Sequence, residues 1–294
     1  MKAESTPVIS FEFFPPKTAE STASLLAAAH HLSDYEPSFM SVTFGAGGST
    51  RSGTIDTVTM LKDKAGVPVA PHLACVGATA EDVSALLENY QAMGINRLVA
   101  LRGDMPSGMV NAGEFHFASD LVEFIRAKTG DHFHIEVAAY PEFHPQAKSV
   151  IDDIANLKRK ADAGADSAIT QYFFNPDAYF YYLDECGRAG IDIPIVPGIM
   201  PITRFTSLAR FSDICGAEIP RWIRKRLESY GDDVLSIQEF GLEVVVGMCQ
   251  QLVEGGAPGL HFYTLNKDKP TVEIITELNL LGVFEKNIRQ KVNV

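Results

Sequence analysis

Short runs of apolar and β-branched residues recur at 8–14 (VISFEFF), 39–44 (FMSVTF), 67–75 (VPVAPHLAC) and 97–101 (RLVAL). Four more follow at 134–140 (HIEVAAY), 168–173 (AITQYF), 194–199 (PIVPGI) and 260–265 (LHFYTL). Several are apolar almost throughout, as parallel strands covered on both faces are, and lack the alternation of a half-exposed antiparallel strand. Between them lie stretches with apolar residues at helical spacing, among them 20–32, 80–93, 118–128 and 147–163. Gly94 and Gly164 follow two of these as helix stops. The polar residues that close the first six units, Glu12, Thr43, His72, Asp104, Tyr140 and Gln171, are 31, 29, 32, 36 and 31 residues apart. One strand, one helix and two short loops need about 30. Eight such units predict an α/β fold, the (β/α)8 TIM barrel, which takes about 250 residues in one domain. The longest interval holds helical patterns at 203–215, 220–230 and 234–254, which read as extra helices between strands seven and eight. No Gly/Ser/Pro linker breaks the series, so 1–294 reads as a single barrel domain.

A doubly wound dinucleotide fold would need G-x-G-x-x-G after an early strand. The one Gly-rich turn, GAGGST at 45–50, has Thr50 where the third glycine belongs, and GxxxxGK[ST] is absent from the sequence. The net charge of −12 argues against nucleic acid or an anionic membrane as a partner. Cys75, Cys186, Cys215 and Cys249 form no CxxC pair, and the first residues contain no apolar stretch of signal-peptide length. These features predict a cytoplasmic protein without disulfides or a membrane span.

In a barrel of this kind the chemistry sits at the carboxyl ends of the strands. There the sequence places Glu12, Thr43, His72, Arg102, Gly103, Asp104, Tyr140, Gln171 and Lys267. A carboxylate, an imidazole, an Arg–Asp pair and an amide converging on one mouth exceed what a structural barrel needs. Glu12 lies in the apolar run Phe11-Glu12-Phe13-Phe14. Desolvation there would raise its pKa and let it serve as a general acid; an outward Glu paired with a helix cation is the alternative. His72 and Cys75 are too far apart on a strand for a metal pair, so no metal is expected. Lys267 is the one candidate for a Schiff base. Lys158, Arg159 and Lys160 form a basic cluster that is either a solvated face or a pyrophosphate contact.

The motifs FEFFPPK (11–17), SVTFGAGG (41–48), APHLAC (70–75), LRGD (101–104) and AAYPEFHP (138–145) continue with LKRKADAGAD (157–166), ITQYFF (169–174), PGIMPI (197–202) and HFYTLN (261–266). Together they resemble the 5,10-methylenetetrahydrofolate reductase family, in family order over nearly the whole chain. The resemblance implies a flavoprotein barrel in which FAD passes hydride from NADH or NADPH to the folate, producing 5-methyltetrahydrofolate. It implies that Glu12 is the general acid and that Asp104 stabilises the cation formed as the folate ring opens. Phe44, Ala46, His72, Arg102, Gly103, Asp104, Ala118, Tyr140, His144, Ala147, Asp153, Asn156, Arg159 and Lys160 match positions that hold FAD. Thr43 and Gln171 match nicotinamide contacts, Gln171 also a folate contact, and Phe211 an aromatic that packs on either substrate. Ser207 stands where the family has Gln, and Lys267 where it has Arg; both positions touch the folate tail, and Lys lacks the bidentate fork of Arg. The resemblance further implies a homo-oligomer without the regulatory C-terminal domain of eukaryotic members. A folate-using methyltransferase without flavin and a silent binder of folate or flavin are the rival functions.

Overall fold

The computed structural model describes residues 7–44, 51–103 and 113–283. Strands and helices alternate: β1 Val8–Phe13, α1 Ala19–Ser33, β2 Phe39–Val42, α2 Arg51–Ala65, β3 Val69–Ala74, α3 Ala80–Ala92, β4 Arg97–Leu101 and α4 Ala118–Thr129. They continue with β5 His134–Ala139, α5 Val150–Asp162, β6 Ser167–Thr170, α6 Pro176–Arg188, β7 Ile195–Val196 and β8 Gly198–Ile199. Then come α7 Phe205–Cys215, α8 Arg221–Tyr230, α9 Val234–Glu254, β9 Gly259–Tyr263 and α10 Lys269–Leu280. All pairings are parallel, in the order β7-β6-β5-β4-β3-β2-β1-β9-β8. β7 and β8 flank Pro197, so the two ends of this order meet in consecutive residues and the sheet closes into the expected barrel.

The described residues form nine strands where eight were expected, and Pro197 is the reason. Proline has no N–H for the ladder, and the seventh run breaks there. Ile195 and Val196 pair with β6, whereas Gly198 and Ile199 pair with β9. The Gly198 N–H donates to the Thr170 hydroxyl at 2.9 Å. A Cβ on Gly198 would stand 2.2 Å from the Thr170 carbonyl oxygen and 2.6 Å from the Tyr263 ring, so the crossing admits glycine alone. The helices sit close to their expected spans. α5 starts later than its apolar pattern because the Ser149 side chain caps it, accepting from the Asp152 N–H. α7, α8 and α9 are the helices expected before the last strand. No described helix is long and apolar enough to cross a membrane.

Period-two alternation divides each strand between two environments. Phe11, Phe13, Met40, Val42 and Leu73 face the helices in the main hydrophobic core. A second, smaller cluster of Phe39, Ala70, Val99 and Ile169 fills the barrel interior. Beneath it lies a polar floor. Glu136, 2% exposed, pairs with Arg97 and lies 3.3 Å from His134, and the Ser167 hydroxyl donates to its carboxylate. The Arg97 guanidinium in turn stacks over Phe39, 4.6 Å from the ring centre. Above the cluster the strands open on the side where Glu12, His72 and Gln171 lie.

Candidate active site

The alternation that puts Phe11 and Phe13 outside turns Ser10 and Glu12 inward. On β9 the same phase turns His261 inward, and the register pairs Ser10 with His261 and Glu12 with Tyr263. Ser10 Oγ is 2.7 Å from His261 Nδ1. Glu12 Oε2 stands 3.3 Å from His72 Nε2 and 3.8 Å from His261 Nε2. Neither imidazole nitrogen has an aligned hydrogen bond, so the contact is between charge partners aimed at one carboxylate. Thr264 fixes the strand end from above, its N–H and hydroxyl both donating to the Glu12 carbonyl at 3.3 and 2.6 Å.

This arrangement corrects the expectation for Glu12. Burial does push its carboxyl upward, but His261 and His72 outweigh it and bring the pKa down to about 2. The apolar neighbours in the sequence belong to the opposite face of the strand. The carboxylate is ionised in the free protein and flanked by the two imidazoles. Tyr263, behind Glu12, donates its hydroxyl to the Thr170 carbonyl at 2.6 Å, and its pKa is pushed well above the phenol range by burial and by the Glu12 charge.

Thr43 and Gln171 close the ends of β2 and β6. The Thr43 N–H donates to the Phe13 carbonyl at 2.9 Å, and its hydroxyl is buried without a partner. The Gln171 side-chain oxygen accepts from the Tyr172 N–H at 3.0 Å, which leaves its amide NH2 as the group available to a ligand. Phe44 follows Thr43 at the edge of the described residues. Ala46 and Asp104 lie outside them.

A cavity of about 330 Å³ extends from the ends of β4 and β5 towards α4 and α5. Ten of the residues expected to hold FAD line it: Arg102, Gly103, Ala118, Tyr140, His144, Ala147, Asp153, Asn156, Arg159 and Lys160. Two are placed by backbone needs. Gly103 has φ +83°, and a Cβ there would stand 3.1 Å from that of Ala74. The His144 N–H donates to the buried Asp153 carboxylate at 3.0 Å, clasping the loop after β5 to α5. Burial raises the Asp153 carboxyl and pulls the Lys160 ammonium down to about 8, with Asp153 alone opposing that fall. Lys160 donates to the Ala138 carbonyl and Arg159 to the Asn156 side chain. Within the basic cluster, Lys158 alone is tied to an outer carboxylate, that of Asp162. Arg102 reaches the Gln146 side-chain oxygen. A desolvated lysine and two guanidiniums without carboxylate partners among the described residues suit a diphosphate group.

The remaining expected residues lie elsewhere on the rim. Ser207 and Phe211 are on α7, one turn apart, with Arg210 stacked over Phe211 at 5.4 Å. Lys267 lines a separate cavity beside them. His72, expected against FAD, stands at Glu12. His261, Ser10 and Tyr263 were missed by sequence reasoning, although HFYTLN carries the signal. His261 and Tyr263 share the phase that follows from placing Leu260 and Phe262 in the core.

The methylenetetrahydrofolate reductase family model matches residues 1–279. The chain belongs to this family. The Escherichia coli 5,10-methylenetetrahydrofolate reductase is 40% identical over 272 residues, which cover 92% of this chain and 90% of that protein. The maize methylenetetrahydrofolate reductase (NADH) 1 is 38% identical over 285 residues, covering 92% of this chain and 48% of the plant protein. Among solved structures, a Clostridium thermocellum protein that binds two copies of 5-methyl-5,6,7,8-tetrahydrofolic acid superposes with a TM-score of 0.69. It is 18% identical, and the match covers 92% of this chain and 93% of that one. Phosphonopyruvate hydrolase superposes at 0.54 with 11% identity over 94% of this chain and 81% of its own. These two likenesses are of fold. Membership of the methylenetetrahydrofolate reductase family makes the chain an oxidoreductase of folate one-carbon units.

Proposed function

We propose that this chain reduces 5,10-methylenetetrahydrofolate to 5-methyltetrahydrofolate with NADH or NADPH as donor and FAD as resident cofactor. One observation carries the reading: ten residues matched to FAD positions line one cavity, and that cavity encloses a desolvated lysine whose one carboxylate neighbour is itself pushed towards neutrality. Arg102, Arg159 and Lys160 would hold the diphosphate, and Tyr140 and His144, ring to ring at 4.6 Å, would wall the space between them. Bound there, FAD would supply the hydride chemistry that links the nicotinamide donor to the methylene carbon of the folate.

The residues at the barrel mouth manage the proton. Opening the five-membered ring of the substrate requires a proton at the nitrogen that leaves the methylene carbon. Glu12 is ionised before substrate arrives, so it gains that proton once the folate is bound and hands it on. His261 is held by Ser10 at Nδ1, which leaves Nε2 facing Glu12. Substrate packed over the mouth excludes water and adds to the desolvation that pushes the Glu12 carboxyl upward. Gln171 presents its NH2 to either substrate in turn, and Thr43, at the end of β2, offers a hydroxyl without a partner among the described residues.

The visible spectrum of the purified protein tests this. A flavin band near about 450 nm, bleached by NADH or NADPH and restored by methylenetetrahydrofolate, is the expected result. A colourless protein that cannot be reconstituted with FAD refutes the flavoenzyme reading. A yellow protein that neither donor bleaches is the silent binder.

A further inference from the structure

The barrel closes where its seventh run is divided, and one side chain crosses the division. Ile195 and Val196 hold to β6, Gly198 and Ile199 hold to β9, and Pro197 between them contributes no N–H. Backbone pairing therefore links β6 to β9 only through two short segments. Tyr263, the last residue of β9, links them directly: its hydroxyl donates at 2.6 Å to the carbonyl of Thr170, the last residue of β6. Gly198 makes the crossing possible. A Cβ there would stand 2.6 Å from the Tyr263 ring and 2.8 Å from its hydroxyl oxygen. The Gly198 N–H donates to the Thr170 hydroxyl at 2.9 Å, so both oxygens of Thr170 are held.

The candidate active site lies at both ends of this strut. Thr170 precedes Gln171, whose N–H donates to the Ala139 carbonyl at 2.8 Å and whose side-chain oxygen accepts from the Tyr172 N–H. With the Thr170 carbonyl fixed as well, the peptide that carries the Gln171 side chain is held on each side. At the other end Tyr263 stands opposite Glu12 in the register of β1 and β9. Its ring meets that of His261 edge-on, with centres 5.5 Å apart. His261 is held by Ser10 at Nδ1 and stacked on Phe39, and its Nε2 faces Glu12 at 3.8 Å. One side chain thus touches the imidazole that helps set the charge of Glu12 and the peptide that carries Gln171.

Phenylalanine would fill the same space. Burying a phenol hydroxyl is unfavourable unless its hydrogen bond is made, so the hydroxyl marks a need to hold the carbonyl. We infer that Tyr263 is a positioning residue. Its hydroxyl fixes Gln171, the amide that both substrates would meet, against the Glu12 side of the mouth, and its ring fixes His261 beside Glu12. The inference rests on the reductase reading for the roles of Gln171 and Glu12 and adds the residue that keeps them in register.

Tyr263→Phe keeps the ring against His261 and releases the Thr170 carbonyl. One neutral hydrogen bond is worth about 2- to 12-fold, so KM should rise by such a factor for the nicotinamide donor and for methylenetetrahydrofolate alike, with kcat held within about two-fold. Tyr263→Leu removes the ring as well and should also slow the folate half at saturation, leaving flavin bleaching at the rate of Tyr263→Phe. Thr170→Val tests mere loosening, since it removes the acceptor of the Gly198 N–H and keeps the carbonyl. It should lower Tm and leave both KM values within about two-fold. A rise under Thr170→Val equal to that under Tyr263→Phe would make the hydroxyl a structural lock and overturn the inference, as would unchanged KM values in Tyr263→Phe. Amide exchange at Gln171 reads the same contact without turnover. Tyr263→Phe should speed it about 2- to 12-fold, and an unchanged rate overturns the inference. Faster exchange in a protein that turns over neither substrate would fail the reductase reading and leave the strut standing.

Discussion

Replacing Glu12 by Gln separates the two halves of the proposed reaction. The substitution keeps the shape of the side chain and removes the carboxylate that His72 and His261 flank at 3.3 and 3.8 Å. Transfer from the nicotinamide donates no proton to a substrate nitrogen, so bleaching of the flavin band should survive within a few-fold. Ring opening of the folate does require that proton. A positioned general acid is worth about 10²–10⁴-fold, and reoxidation by methylenetetrahydrofolate should fall by that factor. The free-protein pKa of about 2 adds a second expectation. At pH 7 a carboxyl of that pKa is protonated in roughly one molecule in 10⁵, so Glu12 must gain its proton after the folate binds. Stopped-flow absorbance at the flavin band reads each half on its own. Equal slowing of both halves would mean that Glu12 shapes the flavin site, and unimpaired folate reduction would remove it from the mechanism.

Three further variants probe the candidate cofactor cavity, the floor and the rim. Arg159→Ala with Lys160→Ala should give protein that retains less flavin on purification, the more so at high salt; full occupancy at high salt would show that these cations serve no diphosphate. Glu136→Ala leaves Arg97 unpaired against the barrel floor and should cost about 3–5 kcal/mol, lowering Tm by about 6–20 °C, whereas a shift under about 2 °C would show that the ion pair is dispensable. Glu142 is raised to about 7 by burial and by the neighbouring Glu218 carboxylate, although the Glu218 N–H opposes the rise. Its charge thus costs nothing below its ordinary pKa near 4.5, and the cost grows from there to about pH 7. Glu142→Gln should stabilise by about 1–2 kcal/mol at pH 8, after allowance for partial exposure, and leave stability at pH 4 unchanged. A gain of the same size at both pH values would rule out the titration.

The barrel was legible because its repeat is covalent: a strand and a helix consume a set length of chain whatever their residues. The break at Pro197 was not, since Pro194-Ile195-Val196-Pro197-Gly198-Ile199 reads as one run until the ladder must choose partners. The FAD-matched residues were legible only through resemblance. Lys158, Arg159 and Lys160 are equivalent as letters, and only the turn of α5 sends Lys158 to Asp162 while Lys160 reaches the Ala138 carbonyl. The state of Glu12 was misread for a related reason. Its neighbours in sequence, Phe11 and Phe13, face away, and the imidazole that reinforces its charge comes from β9, at the far end of the chain. Electrostatics depends on contacts across strands, which a single strand cannot display.

The divided seventh strand gives the barrel a seam. The other strands run for four to six residues, but at Pro197 two-residue segments each grip a single neighbour. Amide exchange should be fastest along this line, since the free energy of local opening follows the number of bonds released. The seam leads in the chain to α7, which carries Ser207 and Phe211, whereas β4 and β5 line the candidate cofactor cavity. One side of the molecule can yield while the other stays shut. A catalyst that retains one ligand through every cycle while two others take turns needs such an unequal wall.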